Sequence, residues 1–275
     1  MSDRKARIRS ELELSTLTGL EIGPLNRPIV ERTDGDILYV DHMNTAALRQ
    51  KYAADASINV DDIVEVDAVW GDHTLAQALG GRAPVDYAVA SHVIEHVPDM
   101  LAWLEELHAV IKPGGDLRLA VPDRRFSFDF LRRETSLADV LNAYVHHARK
   151  PTPASILDFA LHAAKVDVTE AWEGTVDVPR LSKWYTPQDA IHLAKDALLN
   201  DTYHDVHCWV FTPTSFIDLF LQAGSLGLVR FSCKKLHKTE PLQLEFTVAL
   251  TPCDDVAEVV ASWKAAAREL RESIT

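Results

Sequence analysis

The stretch "VDYAVASHVIEHVPDMLAWLEELHAVIKPGGDLRLAVPD", residues 85–123, narrows the fold more than any other part of the chain. "VDYAVAS" (85–91) reads as a buried strand, like the apolar strands before it, and "GDLRLAVP" (115–122) reads as a further strand. Strands of that kind belong inside a sheet covered on both sides. Between them lies a punctuated helix. Asp99 stands at its N-cap, Met100, Leu101, Leu104, Leu107, Val110 and Ile111 repeat at helical spacing, and Pro113 with Gly114-Gly115 ends it. Two buried strands joined by a helix form a parallel crossover unit. The same rhythm runs upstream. A short charged helix over 3–14 precedes a strand ending at Gly23. "DILYVD" (36–41) is a second strand, "TAALRQKYA" a helix, "DIVEVDAV" (62–69) a third strand and "HTLAQAL" a short helix.

The rhythm breaks after Asp123. Residues 124–206 predict helices near 135–148, 153–165 and 187–199 and no clear strand. The last of these has Thr186 as cap, Pro187 at the first position and Asp189 in the first turn. "FTPTSFIDLFLQAG" is then a capped helix, and "LVRFSCKKLH" and "LQLEFTVALT" form an antiparallel hairpin. A tail helix over 254–273 carries an apolar stripe that serves either internal packing or a face between two copies. The expected fold is α/β: a Rossmann-like, seven-stranded, mostly parallel sheet with helices on both faces, a C-terminal antiparallel hairpin and a helical insertion after the fifth strand. The expected domains are a core of 1–123 and 207–275, with 124–206 as an inserted lid.

Charge and composition exclude some roles. With a formal net charge of −13 over 275 residues, the chain is poorly suited to track a phosphate backbone or an anionic membrane. No apolar run reaches the length of a membrane span. The charged start "MSDRKARIRSELELS" lacks the apolar segment of a secretory signal. Cys208, Cys233 and Cys253 are widely spaced and odd in number, which fits neither a disulfide framework nor a zinc motif. These features point to a reducing cytoplasm.

Open parallel sheets bind ligands at the carboxyl ends of their strands. Those ends here carry Glu21 and Gly23, Asp41, Asp67, Ser91 with His92, and Asp123. Asp41 lies 18 residues after Gly23, and a carboxylate there suits the paired hydroxyls of a ribose. His92 and His96 are four apart, the spacing of a metal pair on a helix. Pro98 and Asp99 put the helix start after them, so no metal ligand set is expected.

This order of elements resembles the class I S-adenosylmethionine (SAM)-dependent methyltransferases. "LEIGP" (20–24) is similar to that family's first motif, "YVDH" to its acidic second strand end, residues 85–123 to its fourth-to-fifth strand region, and "FTPTSFIDLFLQAG" to the helix before its final hairpin. The resemblance implies SAM as cofactor, held by Glu21, Gly23, Asn26, Arg27, Asp41, Asp67, Ser91 and His92, with Val69 or Trp70 covering the adenine. It makes Glu95 and His96 architectural and places His92 beside the sulfonium, as a general base or as pocket lining. One departure stands out: the family's first loop is glycine-rich, whereas Gly23 is followed by Pro24, Leu25, Asn26, Arg27 and Pro28. Arg27 or Asn26 then replaces contacts that glycine-loop amides make. Within the insertion and just beyond it, Arg124, Arg125, Tyr185 and His204 are candidate acceptor contacts, with His207 a second candidate base and Asp205 placed to orient a histidine. The expected activity is methyl transfer to an oxygen or nitrogen of a small polar metabolite or sugar intermediate. Transfer of another carbon of SAM, or a silent binding role on the same fold, are the alternatives.

Overall fold

The computed structural model describes residues 2–71 and 73–273. Seven strands form one sheet: β1 (Thr18–Ile22), β2 (Asp36–Asp41), β3 (Ala68–Val69), β4 (Val85–Ser91), β5 (Ile111–Pro122), β6 (Phe231–His237) and β7 (Glu245–Pro252). Their order is β3-β2-β1-β4-β5-β7-β6. The first five pair in parallel, and β7 runs antiparallel to both β5 and β6. The sheet reverses its winding between β1 and β4, so the carboxyl ends of those strands flank a crevice.

Alternation along the strands sorts side chains to two faces. Leu20, Leu38, Val40, Ala88, Ala90, Leu119 and Val121 join one large core. It is closed by α3 (Leu75–Leu79), α4 (Met100–Val110), α5 (Leu137–Val145), α9 (Pro213–Ser225) and α10 (Val256–Glu272), for which α1 (Ser2–Ile8), α2 (Thr45–Tyr52), α6 (Pro153–His162), α7 (Val168–Glu173) and α8 (Pro187–Asn200) complete the numbering. Ile37, Tyr39, Tyr87 and Val89 face the other way, against Ile8 of α1 and the turn residues Ile29 and Val30. The expected caps are present. Asp99 accepts from the Ala102 N–H at the start of α4, and Thr186 and Thr212 form capping boxes on α8 and α9. The stripe of the tail helix (Val259, Trp263, Ala266, Leu270) is buried within the chain's own fold, where α10 packs on α9 and β6.

Three expectations need correction. The N-terminal helix stops at Ile8, not near residue 14, and Glu11 takes a left-handed φ of 66°. The third strand shrinks from 62–69 to two residues, because the backbone of 63–66 is bonded elsewhere. The Val64 N–H donates to Leu25, the Val66 N–H to the Thr45 hydroxyl, and Arg49 and Arg32 donate to the carbonyls of Ile63 and Glu65. Helix α7 was not expected. Its six residues, held by Asp167 at one end and Gly174 at φ 70° at the other, are too few to show a period.

Helices α5 to α8 all lie between β5 and α9. Ile156, Phe159, Ala163, Ala194 and Val206 give this segment a small core of its own. It returns to the sheet at Phe211, which bridges in parallel to Asp123 at the end of β5.

Candidate active site

The ends of β4 and β5, Leu244 just before β7, the turn at Ser57-Ile58 and the inserted segment line a cavity of about 860 Å³. Its floor is His92 and Glu95 from the turn after β4, with Pro122 at the end of β5. Phe126, Phe128 and Trp184 supply apolar wall, and His96 and His207 supply polar wall. The volume falls within the range of small-molecule sites, roughly 300–1,000 Å³.

His92 is held in an uncommon state. Its φ is 56°, in the left-handed region that few non-glycine residues enter, histidine being one of those that do so more often. Its N–H donates to the Ala120 carbonyl, and Nε2 lies 2.6 Å from Glu245 Oε2 at the start of β7. Arg4 of α1 grips the same carboxylate through two contacts of 2.7 and 2.8 Å and also donates to the Ser91 hydroxyl at 2.6 Å. Burial alone raises the Glu245 carboxyl, but the bonds from His92 and Arg4 pull it down to about 2. An anionic Glu245 thus fixes the ring through Nε2 and turns Nδ1 toward Glu95, 3.5 Å away.

Two further histidines are oriented the same way. His96 Nδ1 lies 2.8 Å from Asp205 Oδ1, and His207 Nδ1 lies 2.6 Å from Asp129 Oδ2. Arg132 in turn bonds Asp129 at 2.8 Å and Asp158 at 2.9 Å. Glu95 sits among the rings, 3.5 Å from His92 Nδ1 and 4.0 Å from His207 Nε2. Its carboxylate is 1% exposed, and neither oxygen has a hydrogen-bond partner among the described residues. The main chain explains why these groups meet. The Glu95 carbonyl accepts from the N–H of Cys208 and of Trp209, and the Trp209 indole donates to the Val97 carbonyl at 2.6 Å. Glu95, His96 and His207 are the described residues grouped closely enough to hold a metal ion.

At the cofactor end, Gly23 takes φ 64°, and a Cβ there would approach Val93 Cγ2 to 3.2 Å. A side chain would therefore crowd the cradle after β1. Asp41 closes β2, with Oδ1 bonded to the N–H and ring of His42; Oδ2 remains free of partners among the described residues. Glu21 is turned inward. Its two oxygens accept from the Ile29 and Val30 N–H groups at 2.7 and 3.0 Å, so it clamps the proline-bearing turn from beneath. Asn26 and the exposed Arg27 form no ion pair or side-chain hydrogen bond among the described residues. Asp67 Oδ2 accepts from the Tyr39 N–H and pairs with Arg32 at 2.8 Å.

The four residues expected at the acceptor are turned elsewhere and do not line the cavity. Arg125 pairs with the buried Asp123 at 2.6 Å, and Arg124 donates to the Phe130 carbonyl. Tyr185 packs beside Phe159 in the small core, and His204 bonds Asp196. The aromatic walls Phe126, Phe128 and Trp184 were not singled out from the sequence. Neither were the orienting carboxylates Asp129 and Glu245. The alternation of aromatics in "FSFD" is the local signal that could have marked the first two, and Trp184 lies in the aromatic run "KWYTP" beside the candidate Tyr185.

A doubly wound sheet with a glycine turn after β1, an acid closing β2 and a ligand-sized cavity over β4 and β5 defines an α/β enzyme that binds a nucleoside cofactor. Residues 16–225 match the family described as a methyltransferase domain, and the chain belongs to that family. It is a SAM-dependent methyltransferase of the class I fold, and SAM is its cofactor, which the open Asp41 oxygen and the bare Gly23 turn fit.

Among solved structures, the chain is similar to a Rhodobacter sphaeroides protein given the provisional name of a Zn-dependent alcohol dehydrogenase. That likeness has a TM-score of 0.50 and 10% identity over 92% of this chain and 89% of that one, so it speaks for the fold alone. It is also similar to a SAM-dependent methyltransferase from Mesorhizobium loti, with TM-score 0.44 and 12% identity over 89% of this chain and 95% of that one. The CcbJ methyltransferase of Streptomyces caelestis gives TM-score 0.41 and 11% identity over 91% and 94%. No curated protein sequence matches the chain.

Proposed function

We propose that the protein methylates an oxygen or nitrogen of a small polar acceptor, such as a sugar intermediate, bound in the cavity over β4 and β5. The observation that carries this reading is the cavity itself: about 860 Å³, polar at its floor through His92 and Glu95, and walled by aromatics of the inserted segment. Bound SAM supplies an electrophilic methyl group on sulfur. Gly23 and Ser91 hold the amino-acid end of the cofactor, with Asn26 or Arg27 reaching it from the turn, and Asp41 accepts the ribose hydroxyls. Segment 124–206 acts as the lid, excluding water and aligning the acceptor. His92 Nδ1 takes the acceptor's proton, while Glu245 steadies the charge that forms on the ring.

The test is to incubate the protein with SAM and a panel of small polar acceptors and follow the nucleoside products by mass spectrometry. Acceptor-dependent S-adenosylhomocysteine is the expected product. Methylthioadenosine would mean that another carbon of SAM is transferred. In a responsive pair, His92→Asn keeps a residue that tolerates the left-handed backbone but lacks a base. It should lower kcat by about 100-fold or more with little change in SAM affinity. An unchanged kcat would remove His92 from the chemistry.

A further inference from the structure

We propose that Glu95, His96 and His207 form a binding site for a divalent transition-metal ion at the floor of the acceptor cavity. The inference rests on the acceptor reading only for what the ion would face. Three observations converge. One ligand atom from each residue lies within 4.8 Å of those of the other two. Glu95 is buried, yet neither carboxylate oxygen has a hydrogen-bond partner among the described residues, and a buried carboxylate left so is costly. A cation supplies what the protein does not. Finally, each histidine already has its other nitrogen on a carboxylate, His96 on Asp205 at 2.8 Å and His207 on Asp129 at 2.6 Å. That outer arrangement fixes the tautomer so that Nε2 presents its lone pair inward, as metal-binding imidazoles require.

The chemistry of the set selects the ion. Two imidazoles and one carboxylate suit zinc, cobalt or ferrous iron better than magnesium or calcium, which prefer oxygen-only shells. A zinc ion about 2.1 Å from each atom sets them roughly 3.4 Å apart, so the side chains close inward by about an ångström. The hydrogen bonds from Cys208 and Trp209 to the Glu95 carbonyl already hold the two ligand-bearing segments together. Three protein ligands leave coordination positions open. These face the cavity, where a hydroxyl or carboxylate oxygen of the acceptor would complete the shell. In this arrangement His207 is a ligand and not a base, and His92, on Glu245, remains outside the set.

The experiment uses the full chain stripped with a chelator and titrated with Co²⁺, read by visible d–d absorption and calorimetry. One equivalent should bind, and excess Zn²⁺ should displace it. Glu95→Gln and His207→Ala should each weaken binding by about 100-fold or more, the scale set by metal-site substitutions. His192→Ala, on an exposed position of α8, should leave it unchanged. X-ray absorption on the zinc-loaded wild type reads the shell without mutation, so a variant that fails to fold does not block the test. Two imidazoles with oxygen donors are expected. No saturable binding, binding indifferent to both substitutions, or a shell without imidazole would overturn the proposal. None of these readouts needs methyl transfer, so their failure leaves the proposed activity standing, and absence of any methylated product leaves the metal site standing.

Discussion

At the residue scale, carboxylates divide the labour. Glu245, Asp205 and Asp129 each hold a histidine. Glu21 holds backbone, and it makes a prediction. Burial raises its carboxyl from 4.5 to about 7, against the lowering effect of the two N–H bonds it accepts. Between those pH values the folded chain keeps a proton that the unfolded chain has lost, so this group's contribution to stability falls as pH rises through that window. Denaturant titrations of wild type and Glu21→Gln should show the wild type losing up to about 3 kcal/mol relative to the variant from pH 4.5 to 7. A difference that is flat, or that grows with pH, would mean that the folded carboxyl is ionised throughout.

What the sequence disclosed at this scale followed spacing. The places of Gly23 and Asp41 at the ends of β1 and β2 were legible because apolar strand runs end in turn and acidic residues there. His96 and Glu95 read as architecture, because their partner His207 lies more than a hundred positions away and nothing local announces it. Arg124 and Arg125 misled for a related reason. A strand-end arginine looks free in sequence, whereas here Asp123 and the Phe130 carbonyl are its partners.

At the scale of elements, the sheet was legible wherever hydrophobic pattern outweighed side-chain bonding. β2 and β4 run over the residues their apolar runs mark. β3 does not, because Thr45, Arg32 and Arg49 capture backbone groups that a ladder would otherwise use. One glycine shows how tightly the inner strands fit. A Cβ on Gly19 of β1 would fall 2.1 Å from Cζ of Tyr87, a ring wholly buried across the β1–β4 pairing. Gly19→Ala should therefore cost about 1–3 kcal/mol through overpacking, measured by urea denaturation. A neutral result would mean that the Tyr87 ring has room to swing aside.

At the scale of the whole molecule, α5 of the inserted segment packs into the main core, whereas the stretch from α6 to Val206 has a small core of its own and needs fastening. Trp172 of α7 does part of this. It stacks on Phe126 at 4.0 Å and donates to the Gln243 carbonyl just before β7. Trp172→Ala should speed amide hydrogen exchange across 153–206 while the strands and α5 keep their protection, because local opening draws on local contacts. Equal acceleration in both regions would show that segment and sheet open as one unit. Among the described residues no helix is long and apolar enough to cross a membrane.

The strand order also has a meaning for the newborn chain. β6 reaches the sheet only through β7, which leaves the ribosome after it and then wedges between β5 and β6. Glu245 opens that same strand, and its partner Arg4 was made 241 residues earlier. During synthesis the cofactor crevice between β1 and β4 can take shape while the His92 ring still lacks its anchor. On the proposed role of His92, the last strand translated completes the base, and a chain that ends before β7 should bind SAM yet be inert toward the acceptor.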